Sequence, residues 1–386
     1  MRVTTDQTTA QTPGEIIPRD EQELAAAVAE CHGLARTLRV AGGGTRLGRA
    51  GIVADSTLTT RAMGGIVTYE PGELTLIAKA GTPVDDIERV IAAEGQALAF
   101  EPMDHRVLLG SGGVPTIGGL VAANVSGPRR VQIGACRDHL LGVRFVDGRG
   151  RILKNGGRVM KNVTGMDLGK LICGSYGTLG VLTEVAVKTL PVAESQQTLV
   201  FTGVSPETAV QIFATALATP FDVSGAAFHH GTVWLRVEGL KGQTDYRRDR
   251  LCALFDPRNM DIARDDESRL LWRDLRDVRH FADTGDAVWR ILVKPTDAPV
   301  VIEALKPLGG EASLDWGGAL IWYSGSGDAA AVRRAAGTGA AVLVRPGSAP
   351  VGPVFPPESS GVSALTAALR RTFDPAGVFN PGLMGR

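Results

Sequence analysis

The sequence predicts an α+β protein built as a ligand-binding domain followed by a cap. Three observations carry that reading. The stretches Gly42-Gly-Gly-Thr-Arg-Leu-Gly48, Val114-Pro-Thr-Ile-Gly-Gly119 and Gly174-Ser-Tyr-Gly-Thr-Leu-Gly180 are glycine-dense, and each adjoins a strand or helix signal. Glycine supplies 49 of 386 residues and concentrates between 42 and 180, which points to backbone contact with a ligand rather than to general looseness. Beyond Pro191 the order strand–helix–strand recurs twice without such loops, as in an antiparallel sheet covered by helices on one face. Residues without Cβ let main-chain N–H groups approach an anion, so three such loops predict a long, phosphate-bearing ligand.

Residues 1–16 open on a polar, Thr/Gln-rich run with no apolar core and read as a flexible tail, neither signal peptide nor anchor. From Ile17 the chain reads as ordered. Asp20 caps a helix whose first turn holds Glu21 and Glu23 and whose apolar stripe is Leu24, Ala27, Val28 and Cys31. A strand over 37–41 runs into the first glycine loop, and a second strand covers 74–80. Thr82-Pro83 with Asp85 starts a helix bearing Ile87, Val90 and Ile91, which Gly95 ends. Residues 117–125 form a short apolar helix behind the second loop. Strands over 141–146 and 151–153 flank Asp147-Gly-Arg-Gly150 as a hairpin, and an alternating strand over 181–190 reaches Pro191. The first domain is thus 17–191, in two subdomains split near 72. A cap follows over 192–361, then a C-terminal segment over 362–386. Residues 267–281, with Leu271, Leu275 and Val278 on one face, read as an amphipathic insertion in the cap.

Lys plus Arg and Asp plus Glu both number 41, so no net field favours nucleic acid or an anionic membrane. No run is apolar enough to cross a bilayer. Cys31, Cys136, Cys173 and Cys252 show neither metal spacing nor a disulfide framework, which predicts reduced thiols in the cytoplasm.

Taken in order, the motifs resemble the vanillyl-alcohol oxidase-type (PCMH) FAD-binding family, which includes D-lactate and glycolate dehydrogenases. They are Val40-Ala-Gly-Gly-Gly-Thr45, Pro115-Thr-Ile-Gly-Gly119, Ala122-Ala-Asn-Val-Ser-Gly127, Arg137-Asp-His-Leu-Leu-Gly-Val143, Gly177-Thr-Leu-Gly-Val-Leu-Thr-Glu184 and Asn380-Pro-Gly382. Leu98-Ala-Phe-Glu-Pro102, Ser126-Gly-Pro-Arg-Arg130, Val159-Met-Lys-Asn-Val163 and Asp315-Trp-Gly-Gly318 look like the shorter FAD-binding subunit of bacterial glycolate oxidase. The likeness runs from about residue 17 to the C-terminus. It implies a cap with ferredoxin-like features. It also implies that Gly42, Gly43, Gly44 and Thr45 bind the FAD pyrophosphate, flanked by Ala41, Arg46 and Leu47. Pro115, Thr116, Ile117, Gly118, Gly119, Ala122, Ala123 and Gly127 would line the flavin and ribityl chain. Gly142, Val143, Gly180 and Val181 would hold the adenine and flavin edges. Members with covalently held flavin carry His where this chain has Gly44, so the resemblance implies non-covalent FAD.

Longer catalytic relatives carry a His-rich metal motif in the cap. Here His229-His230 lacks a His-x-Glu-type partner, and neighbours on a strand point to opposite faces, so no metal is expected. Oxidising a 2-hydroxy acid needs a base at the hydroxyl, a cation at the carboxylate and a hydride acceptor within reach. Arg129 and Arg276 are the chosen carboxylate ligands, with Arg130, Arg273 and Arg279 as further candidates. His139 and His280 are candidate bases. Asn380, in a tail expected to return toward the flavin, can both donate and accept. Tyr176 reads equally as a flavin contact or a packed aromatic.

The resulting expectation is an FAD-binding subunit of a glycolate oxidase or dehydrogenase complex, oxidising a small 2-hydroxy acid (glycolate to glyoxylate) and passing electrons to a partner. The resemblance implies a longer FAD-binding subunit and an iron–sulfur subunit as partners, with membrane association only through them. Two alternatives stay open. One is a flavin-bearing or structural accessory subunit without its own substrate chemistry, and the other is a stand-alone FAD-dependent alcohol or hydroxy-acid oxidase.

Overall fold

The structure, a computed structural model, describes residues 14–46, 52–157, 165–347 and 352–385. Leu47 and the motif residues 159–163 lie outside the described residues. Among the described residues the N-terminal half holds two main sheets and a two-stranded pair of Gln96–Ala97 with Leu190–Pro191. A small parallel sheet orders Gly14–Ile16, Ser56–Thr59 and Leu38–Ala41 side by side, so residues 14–16, expected within the tail, are instead an edge strand. Helix Glu21–Gly33 starts where Asp20 accepts a hydrogen bond from the Glu23 N–H at 2.8 Å, and it buries Leu24, Val28 and Cys31. An antiparallel sheet follows in the order Ile66–Glu70, Thr75–Lys79, Val181–Lys188, Leu140–Val146, Ile152–Gly156. Helices Val84–Ala92 and Ile117–Ala122 pack on it through Ile87, Ile91, Ile117, Leu120 and Val121 against Leu76, Val185 and Val187.

The cap is one eight-stranded antiparallel sheet made of two β–α–β–β–α–β units. The first unit runs Ser195–Phe201, Pro206–Leu217, Gly225–His229, Thr232–Gly239, Lys241–Cys252, Met260–Arg264. The second runs Ala287–Leu292, Ala298–Leu305, Glu311–Asp315, Leu320–Gly325, Ala329–Ala335, Ala340–Arg345. In each, the strands lie fourth–first–third–second, the ferredoxin-like order. The units meet edge to edge along Gly225–His229 and Glu311–Asp315, where a single pair, Phe228 with Leu314, is in register. The four helices cover one face over Leu199, Trp289 and Tyr323, with Phe213 of the first helix packed into the same core.

The other face looks at the first domain; it holds buried Arg236, Glu238 and Asp315, while Val288, Leu320 and Trp322 of the second unit join the first domain's hydrophobic core. The stretch expected to be an insertion is helix Asp265–Arg276, and its buried stripe is Ser268 and Trp272 rather than Leu271 and Leu275. The reason is the sheet's chemistry: Trp272 Nε1 donates to Thr198 Oγ1 at 2.8 Å, and the Arg236 guanidinium stacks on the indole at 4.7 Å. Two forked ion pairs fasten cap to first domain. Arg236 reaches both oxygens of Glu101 at 2.8 and 2.9 Å, and Arg129 reaches both of Glu238 at 2.9 and 2.5 Å. The C-terminal helix Ser360–Phe373 spans the expected 361/362 boundary, so the last segment begins inside a helix.

Candidate functional site: a main-chain cradle beside a cationic cavity

Strand Leu38–Ala41 delivers the first glycine loop to the rim of a cavity of about 740 Å³. A Cβ on Gly43 would sit 1.6 Å from the Val114 carbonyl oxygen, and one on Gly113 would sit 1.9 Å from that of Gly43. The first two loops therefore lie backbone against backbone, with the Val114 N–H donating to the Gly43 carbonyl at 3.2 Å. Glycine at 43 serves this packing. Gly44 differs, since its φ is +77° and its missing Cβ would face open space. Among the described residues nothing accepts a hydrogen bond from the N–H of Gly43, Gly44 or Thr45, although Thr45 is buried. Three consecutive donors without an acceptor at a cavity rim are a cradle for an anion.

Of the residues expected to hold the cofactor, Ala41, Gly42, Gly43, Gly44, Thr45, Arg46, Thr116, Gly118, Gly119, Ala122, Ala123, Gly180 and Val181 line this cavity. The second loop contributes surface rather than donors: the N–H groups of Ile117, Gly118 and Gly119 are taken by Thr82 O, Ala80 O and Thr116 Oγ1. Five expected residues lie elsewhere. Pro115 uses its carbonyl to hold the start of helix Val84–Ala92, accepting from the Val84 N–H at 2.9 Å. Ile117 and Val143 are core residues. Gly127 lies tight under Glu101, and Gly142 against the backbone of Gly157, where a Cβ would meet atoms at 2.2 and 2.8 Å. Sequence reasoning missed Arg39, Thr60, Ala80, Gly177 and Leu182, which reach the cavity only because separate strands converge there.

Asn380 is fully buried beneath the loop. Its Oδ1 accepts from the Val40 N–H at 2.7 Å, its Nδ2 donates to the Tyr176 carbonyl at 2.8 Å, and its own N–H donates to Leu38 O at 2.8 Å. The expected catalytic amide is thus fully engaged by protein backbone and lines neither cavity. It fixes the strand that carries the first loop to the turn that carries the third. Arg129 and Arg276 are likewise not brought to a ligand, because Arg129 is paired with Glu238, and Arg276 with Asp277 at 2.9 Å.

A second cavity of about 920 Å³ shares Arg46, Ala123 and Tyr176 with the first. Its wall also holds Arg290, from strand Ala287–Leu292, and His105, the first residue of helix His105–Leu109. Burial pulls the Arg46 guanidinium down to about 10 and lowers Arg290 as well. Burial, then the charge of Arg46, pushes His105 down to about 3, so its imidazole is neutral. His105 Nδ1 lies 3.3 Å from Arg46 Nε and 3.2 Å from the Met103 carbonyl. Arg290 lies 5.1 Å from the ring centre of Trp316, whose Nε1 donates to Gly127 O at 2.9 Å. No carboxylate among the described residues pairs with Arg46 or Arg290. The candidate bases His139 and His280 line neither cavity; they bond Ile133 O and Ser313 Oγ instead.

One expectation about metals rested on geometry that the fold does not have. His230 has φ +46° and, with Gly231 at +71°, forms the two-residue turn between Gly225–His229 and Thr232–Gly239. The strand alternation that would separate His229 from His230 stops there, and both imidazoles face Glu311.

The FAD binding domain family matches residues 13–156. Over 333 residues the chain is 35% identical to glycolate oxidase subunit GlcE of Escherichia coli K12, covering 86% of this chain and 88% of that protein. The chain belongs to the family of FAD-binding glycolate oxidase subunits. FAD is its cofactor, and it is an FAD-dependent oxidoreductase by family. Glycolate oxidase subunit GlcD of Bacillus subtilis is 27% identical over 275 residues, 71% of this chain and 56% of GlcD. Among solved structures, alkyldihydroxyacetonephosphate synthase superposes with a TM-score of 0.69 at 16% identity, covering 95% of this chain and 75% of that one, and so shares the fold. The orphaned amides of Gly43, Gly44 and Thr45 fit the diphosphate of this subunit family's cofactor, and the apolar wall of Ala80, Ala122, Ala123 and Val181 fits its rings. No helix among the described residues is long and apolar enough to cross a membrane.

Proposed function

We propose that this subunit oxidises a small 2-hydroxy acid, glycolate by preference, and hands the electrons to a partner subunit. The observation that carries the reading is a pair of arginines, Arg46 and Arg290, that have no carboxylate partner among the described residues and lie in a cavity that adjoins the cofactor cradle. Two desolvated guanidinium groups with no anion between them are a site for a substrate carboxylate, and their planar forks suit it. Bound FAD supplies the hydride acceptor. Arg46 and Arg290 orient the acid, and Trp322 and Phe355 exclude water from it. His105 Nδ1 accepts from Arg46 Nε–H at 3.3 Å, so the neutral ring carries its proton on Nε2 and can donate it to the substrate hydroxyl oxygen, fixing its orientation. The flavin is held without a covalent link, since the cradle's described lining has no His or Cys and Gly44 has no side chain.

The test is anaerobic addition of glycolate or D-lactate to the purified, flavin-loaded chain. Bleaching of the visible flavin band, with reoxidation by an added electron-accepting dye, is the expected result. A flavin that stays oxidised with every 2-hydroxy acid, both alone and with its partner subunits, overturns the proposal. Acid precipitation should release all yellow colour to the supernatant.

A further inference from the structure

At the seam between the two halves of the cap, the fold gathers imidazoles around a carboxylate. We propose that His229, His230 and Glu311 bind one divalent transition-metal ion, zinc by ligand chemistry, and that the ion clips the two cap units together. Each of the three residues offers a ligand atom, and these atoms all lie within 4.8 Å of one another. His229 Nε2 stands 3.5 Å from one oxygen of Glu311, and His230 Nε2 contacts the other. Ligands held ~2.0–2.2 Å from a tetrahedral zinc ion are about 3.4 Å from each other; the His229–Glu311 distance already matches this, and the exposed His230 side chain is the one that must shift to admit the ion. Two imidazoles and a carboxylate with an open position form a donor set typical of zinc and its neighbours rather than of calcium or magnesium.

A second observation points to a ligand. His229 is 8% exposed, and its buried Nε2 has no hydrogen-bond partner although it is aimed at the carboxylate. A buried ring nitrogen left this way is unfavourable unless something occupies the gap. His230 and His280 pack against His229 at tilted angles, with ring centres 4.2 and 4.3 Å away. His280 is itself held by Ser313 at 2.9 Å, so it braces the cluster rather than completing it. His230, with its side chain 71% exposed, opens the site to ions from solvent.

The position gives the ion its role. His229 ends a strand of the first unit and Glu311 begins a strand of the second, beside a junction with one registered residue pair. None of the three residues lines either cavity, so the ion is architectural and no redox or substrate step passes through it.

Isothermal titration of Zn²⁺ into chelator-treated, tag-free, flavin-loaded protein tests this. One ion per chain is expected to bind saturably, and the thermal midpoint is expected to rise with metal concentration. His230→Ala and Glu311→Gln should each lower affinity at least ~100-fold and abolish the thermal shift, with flavin content unchanged. His230 is on the surface, so its variant keeps the fold even if Glu311→Gln does not. His280→Phe, which keeps the stacking, should still bind one ion. Absence of saturable binding to the parent protein would reduce the cluster to an ordinary His–Glu ion pair and overturn the proposal. So would binding that survives unchanged in both variants.

Discussion

The two cavities share Arg46, Ala123 and Tyr176 as a wall, yet they are made to hold ligands by opposite means. The first uses main-chain amides that are fixed once Gly43, Gly44 and Thr45 take their dihedral angles. It tolerates changes of side chain and fails when the loop backbone moves. The second uses side-chain head groups drawn from three distant elements, the charges of Arg46 from a loop and Arg290 from a cap strand and the neutral imidazole of His105 from a helix start. It tolerates backbone adjustment and fails when one head group is lost. Cofactor retention and substrate affinity should therefore be separable by mutation.

The strongest way to break the first cavity alone is Gly43→Val. Any Cβ there meets the Val114 carbonyl, so loop and loop must part, at a cost of several kcal/mol. Colourless, thermally weakened protein is expected; full flavin retention would refute the interlocked loops. Asn380→Ala comes next. It strands two buried backbone groups, those of Val40 and Tyr176, and about 2–3 kcal/mol of stability should go with them. Flavin occupancy should fall while turnover per bound flavin stays constant; a collapse of turnover per flavin would restore Asn380 as a catalytic group.

Arg290→Met attacks the other side of the comparison. Flavin content should hold, whereas the glycolate concentration for half-bleaching should rise about 10–100-fold, the equivalent of one charge-assisted contact. A smaller effect concerns Asp315, which burial raises from 3.8 to about 7. A carboxyl whose folded value lies above its unfolded one opposes folding once the unfolded chain ionises, so stability falls as pH rises from about 4 to about 7 and is level above that. Asp315→Asn keeps the Trp316 N–H bond and should flatten this slope, by on the order of 1–2 kcal/mol in pH-dependent denaturant melts. Gly44→Ala should be mildest, near 1 kcal/mol from its left-handed φ alone, with flavin retained.

The main-chain cradle was legible because its requirement is written as missing side chains: Gly42 to Gly44, and Thr116, Gly118 and Gly119 of the wall beside them, could be placed before any geometry was known, whereas Ile117 between them went to the core. Leu38–Ala41, Thr75–Lys79 and Val84–Ala92 followed from periodicity and capping within a residue or two. The cationic cavity was not legible. Arg290 is one polar residue in an apolar strand, and only the fold shows that it faces an empty space. Arg129 and Arg276 read as available cations because Glu238 and Asp277 become their partners only through burial. The strand Gly225–His229, Gly-Ala-Ala-Phe-His, has no β-branched residue to announce it, and without it His230 could not be placed in a turn.

Asn380 grips Val40 across 340 positions of chain. While the ribosome is working, the strand that carries the first loop therefore waits 340 residues for its brace. Until Asn380 emerges, the nascent chain is expected to hold flavin more weakly than the finished one.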